Sequence, residues 1–326
     1  MTDEDPTQAA PVPHGDAPDR RDGRAYVTHP RVELAVEVAL ATGRPLLLRG
    51  EPGSGKSSLA AHIALTEGWR YYEQVVTSRT QGKDLLWTYD HVRRLSDAQV
   101  RGGAADLRDE LYVTPGPLWW AFDPDSAAGG GGAEGVVRGD PWSEVNEDRS
   151  PDGAVVLIDE IDKADPDLPN SLLVPLGSNR FTVLETGQEV TWRQPVPRPD
   201  AAAGRSGHLV IITTNEEREL PQAFLRRCVV LALKEPDRPR LVRIAEEHFV
   251  TSFGAFADAD RALATELADA LVETRKQARD QGLRPPSTAE FLDALRACRN
   301  LRINTADPRW GQLKELTLLK PQQPEA

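Results

Sequence analysis

The stretch Gly50-Glu51-Pro52-Gly53-Ser54-Gly55-Lys56-Ser57 fits the pattern G-x-x-x-x-G-K-[ST], and its setting narrows the fold more than any other feature of the chain. An apolar run, Pro45-Leu46-Leu47-Leu48-Arg49, precedes it, and a helical stretch to about Glu67 follows. Glycines let backbone N–H groups converge in such a strand-to-helix turn, and the helix N-terminus adds its positive end. The turn therefore suits a chain of phosphates. In it, Lys56 is expected to reach the β- and γ-phosphates, and the Ser57 hydroxyl to ligate Mg2+. Gly50, Glu51, Pro52, Gly53, Ser54, Gly55 and Ser58 complete the expected contacts to a nucleotide. The alternative is an ordinary glycine-rich turn, which would need neither the strand before it nor the helix after it.

A second stretch, AVVLIDEIDKADPD over residues 154–167, runs from five apolar residues straight into carboxylates. A short apolar run opened by Asp152-Gly153 reads as a strand buried on both faces. Carboxylates at its end repel one another and lose hydration unless a positive charge sits among them. The magnesium of a bound nucleotide answers that need, with Asp159 as its ligand. Glu160 follows and suits polarising a water for attack on the γ-phosphate, as general base or orienter. Kinases of this kind act on a second substrate and need no water-activating carboxylate, so the pair Asp159-Glu160 favours hydrolysis. Asp162, Asp165 and Asp167 read as a solvated helix start and N-cap.

HLVIITTNEE, over residues 208–217, ends a third core strand in Thr213-Thr214-Asn215. The Asn215 amide can hydrogen-bond the γ-phosphate or the attacking water, or it is a turn residue at a strand end. LPQAFLRRCVVL places Arg226 and Arg227 just before a last strand. An arginine from a neighbouring subunit can stabilise charge on a transferring phosphoryl group, and Arg227 is the better placed of the two. The alternative is a surface salt bridge. Of the 39 basic residues only seven are lysine, so a single arginine says less here than usual.

The 326 residues divide by pattern. Residues 1–22 read as a disordered acidic tail with no apolar signal segment, and 321–326 as a second tail. Residues 23–235 read as an α/β nucleotide-binding domain, because strands alternate with helices and imply a parallel sheet. Within it, the glycine-rich stretch over about 123–153 is expected to be a flexible surface insertion, and about 193–206 a linker. A helix is expected to about Gly177, and 181–192 alternates around Thr186-Gly187 as a hairpin. Residues 236–320 read as an all-helical lid, with Ser287-Thr288-Ala289-Glu290 as a capping box. A net charge of -12 and a pI near 5.1 argue against a general nucleic-acid binder. Cys228 and Cys298 make no disulfide framework and sit in no metal-ligand spacing, which points to a reduced, cytoplasmic setting. No apolar run reaches membrane-span length, so no membrane insertion is expected.

Taken together, GEPGSGKS, VVLIDEIDKAD, IITTN and LPQAFLRRC, in that order, resemble an AAA+ ATPase, and within that class the MoxR-like and dynein-related branch. TSRTQGKDLLWTYDH, TPGPLW and ETGQEV resemble that branch's insertions, and the likeness runs from about Tyr26 to Leu319. It implies a sheet of strand order 5-1-4-3-2, a helical lid, and a homo-oligomeric ring, usually hexameric, with ATP and Mg2+ between subunits. It implies Lys56 and Ser57 in Walker A, Asp159 and Glu160 in Walker B, Asn215 as sensor 1, and Arg226 or Arg227 as the finger. The family usually presents a sensor 2 arginine at the start of a late lid helix. Here Ala289 stands near that place, and Arg284, slightly upstream, is the candidate substitute. MoxR-like proteins commonly work with a von Willebrand A-type partner, so a remodelling ATPase acting on a partner protein is the first reading. A nucleotide-gated signalling or defence scaffold with little turnover is the second. A motor for nucleic-acid processing is the third, and the acidic charge counts against it.

Overall fold

The computed structural model describes residues 23–101, 107–129, 136–193 and 207–318. The chain forms two compact units. The first takes in Pro30–Arg49 and Ala60–Leu231. The second takes in Arg24–His29, Gly50–Leu59 and the residues from Ala232 on.

The first unit is built on five strands: β1 (Leu46–Arg49), β2 (Trp69–Val75), β3 (Ser150–Asp159), β4 (Gly207–Thr214) and β5 (Val229–Ala232). Their order across the sheet is β5-β1-β4-β3-β2, which is the expected 5-1-4-3-2. The pairs β1/β4, β3/β4 and β2/β3 are parallel. A parallel sheet is covered on both faces, so its strands are apolar at successive positions rather than alternate ones. Leu46, Leu47 and Leu48 are all buried, as is every residue from Gly153 to Asp159. Helix α1 (Pro30–Thr42) precedes β1, and α2 (Lys56–Thr66) follows the glycine-rich loop. At one end of the sheet, Gly153 and Gly207 are cross-strand partners. A Cβ on either would lie 2.5 or 2.7 Å from the Trp69 indole, so the two glycines make the room that this buried ring occupies.

Two antiparallel ribbons stand beside the sheet. Trp87–Tyr89 pairs with Val113–Pro115, and Arg180–Thr182 pairs with Glu189–Thr191 as the hairpin predicted from alternation. Phe181 ties the ribbons to the core: Trp87 stacks on it at 5.8 Å, and Trp119 meets it edge-on at 6.1 Å. Leu85, Leu86, Trp119 and Trp120 are all core residues.

Two local expectations fail. The stretch over 123–153 is not a loose surface insertion in its described part. It holds the short helices Pro124–Ala127 and Ser143–Asn146. Trp142 is buried edge-on against Tyr72 at 5.3 Å, and the Asn146 side chain accepts from the Tyr71 N–H at 2.8 Å and donates to the Tyr71 carbonyl. Glycine content hid these anchors. The single helix expected to about Gly177 is instead two short ones, Asp167–Ser171 and Leu173–Ser178, with Pro169 and Pro175 inside them. The expected tails over 1–22 and 321–326, and the linker over about 193–206 apart from Arg193, lie outside the described residues.

The helices of the second unit are α3 (Arg238–Phe253), α4 (Asp258–Asp280), α5 (Thr288–Leu301) and α6 (Trp310–Thr317). Asp237 caps α3 by accepting the Arg240 N–H at 3.0 Å. The Ser287–Glu290 capping box forms in both directions, with the Ser287 N–H donating to Glu290 Oε2 at 2.6 Å and the Glu290 N–H to Ser287 Oγ at 3.3 Å. Leu241, Phe249, Leu267, Leu271, Phe291 and Leu295 fill the core between them, with Cys298 buried in it.

Candidate active site

In the first unit, β3 and β4 end side by side, and a web of side-chain bonds joins their tips. Asp159 closes β3 and is only 3% exposed. It accepts a hydrogen bond from Thr213 Oγ1 at 2.6 Å. Glu160 turns away from the strand in the left-handed region, at φ 61 and ψ 48. That conformation costs a residue with a Cβ on the order of 1 kcal/mol and tends to persist where function requires it. The Glu160 N–H donates to Thr213 Oγ1 at 2.8 Å. Its carboxylate accepts from Asn215 Nδ2 at 3.1 Å and from Lys163 Nζ at 2.7 Å. The bond to Glu160 is the main reason the Lys163 ammonium holds its proton more tightly than a free lysine.

Asp162 corrects the sequence reading, which placed it on a solvated helix start. It is 3% exposed. Its Oδ2 accepts the backbone N–H groups of Asn215 at 3.1 Å and Glu217 at 2.9 Å, so it fixes the loop that carries the Asn215 amide. Glu216 in that loop is also left-handed, at φ 62, and pairs with Arg49 at 2.8 Å. Asp165 and Asp167 are exposed, as expected, with Asp165 Oδ1 accepting the Asp167 N–H. Sequence reasoning missed Thr213, Lys163 and the role of Asp162. DEIDK offered the lysine as a visible neighbour of the carboxylates, whereas Thr213 and Asp162 act across strands and leave no local pattern.

The second unit holds the glycine-rich loop. Gly50, Gly53 and Gly55 have φ values of 142, 73 and 88°. A Cβ on Gly50 would sit 2.6 Å from the Leu233 carbonyl oxygen, and one on Gly53 would sit 2.6 Å from Ser287 Cβ. The loop therefore needs glycine for conformation and for room at once. Lys56 opens α2, is 6% exposed, and donates to the carbonyls of Gly50 at 2.6 Å and Glu51 at 3.0 Å. The Ser54 hydroxyl is buried with no protein partner among the described residues, as suits an atom facing a phosphate oxygen. Ser57 and Ser58 are half-buried on the first turn of α2, Pro52 is half-buried and Glu51 exposed. Ser287, which a Cβ on Gly53 would meet, stands between Pro286 and Thr288, and both of these bond the 4% exposed Arg275. That guanidinium donates to the carbonyls of Pro286 at 2.9 Å and Pro236 at 3.3 Å, and to Thr288 Oγ1 at 3.3 Å. Burial lowers its pKa, with Glu235 opposing the shift. Ala289 and Arg284, the two sequence candidates around sensor 2, are both exposed.

Arg226 and Arg227 are exposed at the end of the short helix Gln222–Leu225. They differ in setting. The Arg226 carbonyl accepts from Arg44 at 2.7 Å. Arg227 lines a cavity of about 260 Å3 with Leu172, Leu176, Phe224 and Cys228. Burial pushes the Cys228 thiol up to about 12, so it stays protonated there.

A family model described as an AAA domain of the dynein-related subfamily matches residues 45–228, more than half of the chain. The chain belongs to this family. The matched AAA segment contains the glycine-rich loop, the Asp159-Glu160 pair, Asn215 and both arginines. Among curated proteins, the mitochondrial Lon protease homolog of Phaeodactylum tricornutum is 28% identical over 209 residues. That alignment takes in 64% of this chain but only 18% of the relative. Among solved structures, a RuvB variant from Thermotoga maritima aligns with a TM-score of 0.46 at 13% identity, covering 89% of this chain and 70% of that one. Domain III of the Thermotoga maritima replication initiation protein DnaA aligns with a TM-score of 0.43 at 14% identity, covering 92% of this chain and 98% of that one. Among the described residues, no helix is long and apolar enough to cross a membrane.

Proposed function

We propose that this AAA chain binds ATP with Mg2+, hydrolyses it, and uses the cycle to remodel or activate a partner protein. The observation that carries this reading is the tip of β3. A buried Asp159 is followed at once by a Glu160 that the left-handed backbone turns out of the strand, with the Asn215 amide bonded to its carboxylate. A kinase-type site would have no use for that second, outward carboxylate.

The roles follow from the donor and acceptor chemistry. The loop from Gly50 to Gly55, with the Ser54 hydroxyl and the start of α2, binds phosphate oxygens. Lys56 supplies the fixed positive charge for the β- and γ-phosphates. Ser57 and Asp159 would be the oxygen donors for a bound metal ion. No group of three or more His, Cys, Asp or Glu side chains forms a metal cluster among the described residues. A single carboxylate and a hydroxyl suit Mg2+, which retains waters and takes substrate phosphates as ligands. When bound, that ion neutralises charge on the β- and γ-oxygens. Glu160 orients a water and accepts its proton as the new oxygen–phosphorus bond forms and the bond to the β-phosphate bridge breaks. Asn215 holds the Glu160 carboxylate and reaches the same water or the γ-phosphate. Arg227, ahead of Arg226, acts on a neighbouring subunit's nucleotide in a homo-oligomeric, hexameric ring; the resemblance suggests a von Willebrand A-type partner, and the two unpaired cysteines suggest a cytoplasmic setting.

One observation favours a second reading. The exposed residue at the start of α5 is Ala289, which brings no charge to a γ-phosphate. A nucleotide-gated scaffold with little turnover needs none. The test is ATP turnover by the full chain beside Glu160→Gln. The ATPase reading expects tight nucleotide binding in both and at least a 100-fold loss of turnover in the variant. Tight binding with wild-type turnover no faster than the variant's overturns hydrolysis and leaves the scaffold.

A further inference from the structure

We propose that Thr213 is a positioning residue that sets Asp159 for the metal and turns Glu160 toward the substrate, an inference that rests on the ATP-hydrolysing reading above. Thr213 lies in β4 with 0% exposure. Its hydroxyl has a single proton to give, and the geometry leaves no choice about where that proton goes. The Glu160 N–H, at 2.8 Å, can only donate, so it takes a lone pair of Oγ1. The proton of Oγ1 therefore points at Asp159 Oδ1, 2.6 Å away.

The same atom thus holds both residues of the pair from the neighbouring strand. Threonine is stiff at χ1 because of its β-branch, so the Asp159 carboxylate takes its rotation from a rigid strand rather than from its own rotamers. The second bond tethers the N–H of a residue whose left-handed backbone is strained, at φ 61. Thr213 thus anchors the backbone of the turn, while Asn215 and Lys163 hold the Glu160 carboxylate itself. Thr214, next in sequence, does a different job, since its hydroxyl accepts the Glu216 N–H at 3.0 Å within its own loop. Of the two threonines in TTN, only Thr213 reaches the carboxylate pair.

The test measures binding of a fluorescent ATP analogue, mant-ATP, to the full chain with Mg2+ and with EDTA, together with the thermal midpoint. Thr213→Val keeps the shape and removes the hydroxyl. Thr213→Ala is made alongside it and keeps the test alive if the valine variant does not fold. Thr213→Ser restores the hydroxyl. The expected result is that metal-free affinity stays within about twofold in all three, while the Mg2+-dependent gain in affinity falls roughly tenfold or more in the valine and alanine variants. The serine variant keeps the gain to within about threefold, the loss coming from its freer rotation. Valine and alanine variants that melt lower yet keep the full Mg2+-dependent gain overturn the inference and leave Thr213 a structural bond only. A wild-type chain that binds no mant-ATP under either condition overturns the nucleotide reading itself, and this inference with it.

Discussion

Asp162 shows how one buried carboxylate can govern a site it does not belong to. Both bonds it makes are to backbone N–H groups, of Asn215 and Glu217, and both end on Oδ2. Its other oxygen, Oδ1, has no hydrogen-bond partner among the described residues. An asparagine can therefore keep the accepting oxygen and turn its amide nitrogen to the other side. Asp162→Asn is expected to cost under ~1 kcal/mol of stability, whereas Asp162→Ala strands two buried donors and is expected to cost about 2–3 kcal/mol. Urea denaturation of the two variants measures the difference, and equal losses would contradict the bonding described here. The places of Asp159 and Glu160 at a strand end and of Lys56 at a helix start were legible in the sequence because contiguous motifs mark them. Asp162 stood in the same motif and was misread, because its partners lie about fifty positions away on the next strand.

At the scale of elements, the glycine-rich loop depends on what stands behind it. Gly53 and Gly68 both have positive φ, at 73 and 67°. They differ in their surroundings, since a Cβ on Gly53 meets Ser287 and one on Gly68 meets nothing within 4 Å. Gly68→Ala is expected to cost about 1 kcal/mol and leave nucleotide affinity unchanged. Gly53→Ala is expected to lower mant-ATP affinity at least tenfold, because the loop must move off Ser287. Similar affinities in the two variants would show that the loop tolerates the shift. The Ser287 side is braced by Arg275, so Arg275→Leu, which leaves the Pro286 and Pro236 carbonyls without their donor, is expected to destabilise the chain by roughly 2–3 kcal/mol in thermal or urea unfolding. The strands and the lid's capping box were legible because apolar runs and S-x-x-E are local signals. The stretch over 123–153 was not, because four glycines in its middle outweighed Trp142 and Asn146, whose burial is decided by β2.

For the whole molecule, acid is a selective stress at one point in the first unit. The half-buried His208 imidazole lies between Phe122 at 4.9 Å and Trp192 at 5.1 Å, and its Nε2 has no hydrogen-bond partner among the described residues. Burial lowers its pKa from 6.5 to about 4. The unfolded chain takes up this proton first as pH falls, so the contribution is intact above about 6.5 and is lost progressively toward pH 4. The loss reaches roughly 3 kcal/mol at its limit. Carboxylates titrate over part of the same range, so the measurement is the difference between wild type and His208→Phe in urea unfolding between pH 7.5 and about 4.5. A constant difference across that range would contradict the burial account. The fold class was legible at this scale from the alternation of strands and helices, whereas the sheet order, which the structure bears out, came only from the family resemblance.

The most direct test of the central claim is ATP turnover per chain, with Mg2+, against protein concentration, with Glu160→Gln as the blank and Arg227→Ala beside it. Turnover that rises steeply with concentration, disappears in the blank and falls at least 100-fold in Arg227→Ala at every concentration is the predicted result. Turnover per chain that is independent of concentration and insensitive to Arg227→Ala would contradict it, since each chain would then be firing alone.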